Sequence, residues 1–136
     1  MGDVYVWLGR LSPENYTSPT PDGRPATREY AGERLARAVC ADREMLSETA
    51  ITGMATAFAR AQCDLIAHAL LRLKKGYPLI ASAVLAGLGE FIGREAAECS
   101  GLQVLSLTDQ IGSAAITAPA MAVASLLCES LALQSR

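Results

Sequence analysis

Apolar residues follow a helical period along the first half of this chain, then form a continuous run, then return to a helical period. Val4, Trp7, Leu8 and Leu11 share one helical face and Ser12-Pro13 stops the pattern, which predicts a short helix over residues 3–11. Residues 15–25 hold Pro19, Pro21, Asp22-Gly23 and Pro25, turn chemistry that predicts an exposed loop. Thr27 can cap a second helix whose Ala31, Leu35, Ala38 and Val39 face inward, with Arg34 and Arg37 turned to solvent. From Ser47 to Lys74, Ile51, Ala55, Phe58, Leu65, Ala69 and Leu73 fall at helical spacing and predict a helix of roughly 40 Å. Arg72, Lys74 and Lys75 suit the negative end of its dipole, and Gly76 suits the left-handed residue that closes it.

The period breaks at Leu79 to Ala86, an apolar run bounded by Pro78 and Gly87 that reads as a buried parallel strand. A helix from Glu90 to Cys99 follows, ending at Ser100-Gly101, and then a second short strand at Gln103 to Leu107. These make a β-α-β unit of about thirty residues. Thr108-Asp109-Gln110 reads as a turn, and Pro119 opens a last helix through Leu131 with Met121, Ala124, Leu127, Cys128 and Leu131 facing inward. The fold class is therefore α/β, predominantly helical, in one domain with a helical part (1–76) and a βαβα part (77–136). Two parallel strands cannot cover their own faces and edges, so the sheet is incomplete by itself.

Composition narrows the function. The chain has 136 residues, 12 basic and 14 acidic side chains and 51% hydrophobic residues. No dense basic block offers an electrostatic footprint for nucleic acid or an anionic membrane, and neither is expected as a partner. The uncharged stretch Ile111 to Leu127 is rich in Ala, Ser and Thr around Pro119, which favours a buried, close-packed helix over a membrane span. Cys40, Cys63, Cys99 and Cys128 form no close pair, so reduced and mostly buried thiols in a cytoplasmic protein are expected.

The candidate chemistry is sparse. At Gly87-Leu88-Gly89-Glu90 a strand runs into a helix through two glycines, which permits close approach of a phosphate or an adenosine ribose to the backbone and to the helix N-terminus. The same glycines equally serve a tight turn with no ligand, and Ile92 stands where a dinucleotide fingerprint would have its third glycine. Asp3 is either a helix-capping carboxylate or one facing a cleft. Asp22-Gly23-Arg24 reads as a turn whose Arg24 can meet an anion. The single histidine, His68, sits four residues from Asp64 on the long helix and reads as a surface pair. No catalytic residue and no metal-ligand set is assigned.

Gly2-Asp3-Val4-Tyr5-Val6-Trp7-Leu8-Gly9-Arg10-Leu11, Thr20-Pro21-Asp22-Gly23-Arg24, Glu33-Arg34-Leu35-Ala36-Arg37, Ala86-Gly87-Leu88-Gly89-Glu90-Phe91 and Ala118-Pro119-Ala120-Met121-Ala122-Val123-Ala124 follow one another along nearly the whole chain. In that order they resemble the C-terminal part of the tetrahydromethanopterin-linked one-carbon-transfer pathway proteins, a hydantoinase/oxoprolinase-like group. The resemblance implies half of an actin-like ATPase (ribonuclease H-like) fold, with Gly87, Leu88, Gly89 and Glu90 as its nucleotide-binding turn. It implies coenzyme assembly of the methanofuran type, in which archaeal relatives join an aminomethylfuran diphosphate to a tyramine-derived amine. The resemblance implies family members more than twice as long, with an N-terminal lobe that carries a phosphate loop and a metal-binding acid and that these segments do not match. ATP and magnesium are therefore expected as cofactors only where that lobe is supplied. A complementary N-terminal lobe or a second copy is the expected partner, with a small molecule as substrate. The alternative is a non-catalytic helical interaction or dimerisation module.

Overall fold

The computed structural model describes residues 1–134. Its elements are α1 (Gly2–Trp7), α2 (Arg28–Arg37), α3 (Glu48–Gly76), β1 (Ser82–Leu85), α4 (Glu90–Cys99), β2 (Gln103–Ser106), α5 (Leu107–Ile111) and α6 (Ala118–Gln134). Short 3-10 stretches lie at Pro13–Asn15, Arg43–Met45 and Gly112–Thr117. The chain divides into two compact units, Met1–Leu65 and the part from Ile66 onward, with the boundary inside α3.

In the first unit α1 buries four successive residues, Val4, Tyr5, Val6 and Trp7. Gly32 on α2 makes room for the indole, since a Cβ at position 32 would lie 2.5 Å from a Trp7 ring carbon. Trp7 Nε1 donates to Thr52 Oγ1 at 3.0 Å, and the Arg28 guanidinium stacks 4.0 Å over the ring. The Tyr5 hydroxyl donates to Gln62 Oε1 at 2.8 Å. On α3 the buried stripe is Ile51, Ala55, Ala59 and Cys63, four residues apart each time. Apart from Ile51 these are small residues. Thr27 caps α2 by accepting from the Tyr30 amide, and Ser47 starts α3 by accepting from the Ala50 amide at 3.1 Å.

In the second unit β1 and β2 form a two-stranded parallel sheet in the register Ser82↔Gln103 to Leu85↔Ser106. The helix between them packs against β1 through Gly93, where a Cβ would come within 3.0 Å of Leu85 Cδ2. Ala96, Ala97, Leu102 and Ala115 are buried there, with Ala67 from α3. Buried Ser100 donates to Ala96 O at 2.7 Å, and Lys74 Nζ donates to Ser100 O at 2.9 Å and Gly101 O at 3.1 Å. A lysine from α3 thus satisfies the carbonyl end of α4 and places a positive charge at its negative pole.

The mostly helical chain with a small parallel sheet matches the coarse reading from the sequence, α/β and predominantly helical. Several details differ. The first strand is only Ser82–Leu85 with alternating exposed and half-buried residues, and Leu79, expected inside a buried strand, lies before it and is 97% exposed. Phe58, Leu65 and Leu73 face outward on α3, since its small residues take the inner face. Ala38 and Val39 lie beyond the end of α2 and are exposed. Gly76 is an ordinary helical residue; the left-handed glycines are Gly9, Gly23, Gly87, Gly101 and Gly112. Thr108, Asp109 and Gln110 belong to α5, which Ser106 caps by accepting from the Asp109 amide. Met121, Leu127, Cys128 and Leu131 are exposed on α6, which is not a close-packed core helix of this chain. Of the four thiols, only Cys63 is buried.

Candidate functional site

The glycine turn sits at the carboxyl end of β1, where ligands bind in open sheets of parallel strands. Gly87 has φ +92°, in the region where only glycine is free of strain, and its carbonyl accepts from the Glu90 amide at 3.1 Å to close the turn. Gly89 is different. It is the N-cap of α4 with φ −90° and ψ 9°, values open to other residues, and a Cβ there would meet only Ile92 Cδ1 at an ordinary 3.8 Å. Neither backbone strain nor packing calls for glycine at position 89.

Glu90 locks this turn to the end of the neighbouring strand. Its Oε2 accepts from Thr108 Oγ1 at 2.7 Å and its Oε1 from Arg94 Nη2 at 3.0 Å. The Ser106 hydroxyl is the strongest influence on its carboxyl, followed by Thr108; with Arg94 they outweigh desolvation and hold the group below the ordinary glutamate value. Because Leu85 pairs with Ser106, the parallel register puts the residues after each strand side by side. The sequence reading named Gly87, Leu88, Gly89 and Glu90 but missed Ser106 and Thr108; the signal that finds them is the carboxyl end of the second strand.

Asp3 belongs to the first unit and has a different setting. Arg34 Nε donates to Asp3 Oδ1 at 2.8 Å, and Nη2 lies 2.7 Å from the same oxygen but off the line of a hydrogen bond. The same guanidinium donates through Nη1 to Asp22 Oδ1 at 3.0 Å. The Arg34 side chain is only 6% exposed, which corrects the expectation that it faces solvent: two carboxylates draw it inward. Burial works to lower the Arg34 pKa, and hydrogen bonding and attraction to Asp3 and Asp22 overcome that and raise it. Partial desolvation pushes Asp22 up, but the Arg24 amide and guanidinium, with Arg34, bring its carboxyl down to about 2. Arg24 also pairs with Glu33 at 2.6 Å and stacks 4.7 Å over Tyr30. The cluster fastens the loop of residues 15–25 onto α1 and α2, so Asp3, Asp22 and Arg24 are engaged with one another's partners. Among the described residues no three His, Cys, Asp or Glu side chains converge as a metal site.

The chain was compared with known proteins. It is 32% identical over 130 residues to the (4-{4-[2-(gamma-L-glutamylamino)ethyl]phenoxymethyl}furan-2-yl)methanamine synthase of Methanocaldococcus jannaschii, an alignment covering 95% of this chain and 38% of that protein. It is 25% identical over 131 residues to the synthase of the same name from Methanococcus vannielii, covering 93% of this chain and 59% of that one. The chain thus spans less than two thirds of the length of either relative. A hydantoinase/oxoprolinase family profile matches residues 1–130, and with the glycine turn lying inside that match, the chain belongs to the hydantoinase/oxoprolinase family.

Proposed function

We propose that the chain is the C-terminal, nucleotide-facing lobe of an actin-like ATPase fold that serves coenzyme assembly in tetrahydromethanopterin-linked one-carbon metabolism, of the methanofuran type. The observation that carries this reading is Gly89. A glycine that neither φ nor packing requires, at a strand-to-helix turn on the carboxyl side of a parallel sheet, leaves open the space that an adenosine ribose or phosphate would fill.

In this reading Gly87 bends the backbone, Leu88 and Gly89 present main chain to the nucleotide, and Glu90, tied to Ser106, Thr108 and Arg94, keeps the turn from shifting. The phosphates held at the turn would be those of ATP or of an aminomethylfuran diphosphate; in the latter case the methylene–oxygen bond to diphosphate breaks as the bond to the second molecule forms, and diphosphate leaves. The donors for magnesium belong to the companion N-terminal lobe, the expected partner, and so does the phosphate loop. The activity for which the relatives are named, formation of an aryloxymethylfuran methanamine, supports a small-molecule substrate of that chemical class.

Titration calorimetry of ATP with magnesium tests the proposal. The chain is examined alone and joined to the remainder of the Methanocaldococcus jannaschii synthase. Saturable heat in the joined form is expected, and no heat in either form refutes it. The second reading, a non-catalytic interaction module, is favoured by the exposed apolar face of α6 and predicts association without nucleotide binding.

A further inference from the structure

The most conspicuous surface that the nucleotide reading leaves unused is α6. Its 17 residues, Ala118–Gln134, hold one charge, Glu129, and its large apolar side chains point in every direction around the axis. Val123 is 68% exposed, Leu126 65%, Leu127 58% and Leu131 56%. A helix that is apolar all round is ordinarily enclosed on several sides, either by protein or by lipid.

Lipid fits poorly. The segment Leu107–Leu133 is long and apolar enough to cross a membrane by length and composition. It is not one helix, however: Gly112 at φ +61° and the 3-10 stretch Gly112–Thr117 interrupt it. The unbroken part, α6, spans about 25 Å at 1.5 Å per residue, short of a hydrocarbon core of roughly 30 Å. It carries Glu129 inside and no basic residue in its last turn to anchor it at a headgroup. The small residues Ala118, Ala120, Ala122, Ala124 and Ser125, which precede the leucines from Leu126 onward, instead suit close approach by another polypeptide.

Which polypeptide is indicated by the family match. It runs into α6 as far as residue 130, and the matched region is only 38% and 59% of the two relatives, so each relative has further chain beyond the matched region. We infer that α6 is the docking element of the lobe: it lies in an apolar groove of the family segment that the matched region leaves out. This rests on the two-lobe reading above and adds the surface through which the lobes join.

Cys128, exposed on α6, provides the readout, with exposed Cys40 and Cys99 as internal controls. Maleimide labelling, mapped by peptide mass spectrometry, is compared between the chain alone and the chain joined to the remainder of the Methanocaldococcus jannaschii synthase. Cys128 labelling is expected to slow by about tenfold or more in the joined form, with Cys40 as reactive as before. Leu127→Glu should leave the melting temperature of the chain alone unchanged, lower that of the joined form and restore Cys128 labelling. Equal Cys128 reactivity in both forms overturns the inference, as does a joined form without a cooperative melting transition. It is also overturned if light scattering shows the chain alone to be a dimer that Leu127→Glu dissociates, or if the chain binds phosphatidylcholine–phosphatidylglycerol vesicles through α6. ATP titration on the same joined form separates the two ideas: binding without Cys128 protection removes only the docking inference, and protection without binding removes only the nucleotide reading.

Discussion

The Thr108 hydroxyl donates to Glu90 Oε2 at 2.7 Å and so joins the first residue of α4 to the second residue beyond β2. The bond crosses 18 positions of sequence and fixes the glycine turn against the adjacent strand end. Thr108→Val keeps the side-chain volume and removes the donor. It is expected to weaken nucleotide binding by roughly 3- to 10-fold through a looser turn, the range of one ordinary net hydrogen bond. Titration calorimetry beside an unchanged far-ultraviolet circular dichroism spectrum checks it; unaltered affinity would mean that the turn needs no support from β2.

The two glycines of the turn should respond differently to an added side chain. Gly87→Ala forces a Cβ into φ +92° and is expected to cost about 1–2 kcal/mol of stability. Gly89→Ser supplies an N-cap side chain where φ is ordinary and should change stability by only a few tenths of a kcal/mol. Urea unfolding of both variants makes the comparison.

Asp22 makes part of the stability dependent on pH. Its carboxyl falls from 3.8 in the unfolded chain to about 2 in the folded one, so folding favours the ionised form. The contribution is complete above about pH 4 and disappears as pH falls toward 2. Asp22→Asn should therefore destabilise at pH 7 and flatten the stability curve between pH 4 and 2. Thermal melts across that window decide it, and parallel curves for the two proteins would contradict the role of Arg24 and Arg34.

Much of the local structure was legible in the sequence. Thr27 marked the start of α2, Glu90 and Ser100-Gly101 bounded α4, and the apolar run before Gly87 identified the strand. Long-range pairing was not legible. Arg34 reads as a surface residue until Asp3, 31 positions away, and Asp22, 12 positions away, close on it. Ser106 and Thr108 join the candidate site only through the parallel register. On α3 the sequence pattern groups Ile51 and Ala55 with Phe58, Leu65 and Leu73, yet the buried stripe runs from Ile51 and Ala55 through Ala59 and Cys63 and leaves the three larger residues exposed. On α6 an apolar residue stands on every side, so the pattern carries no direction from which to choose an inner face.

Calorimetry of ATP with magnesium on wild type and Gly89→Ala, each joined to the remainder of the relative, tests the nucleotide turn most directly. A methyl group at position 89 touches only Ile92 in this fold, so any lost affinity belongs to the ligand. Binding weakened by about tenfold or more, with stability lowered by no more than the roughly 1 kcal/mol that alanine costs at a helix N-cap, is the expected result. Equal affinity in the two proteins, or no binding by wild type, would contradict the assignment of Gly87-Leu88-Gly89-Glu90 to the nucleotide.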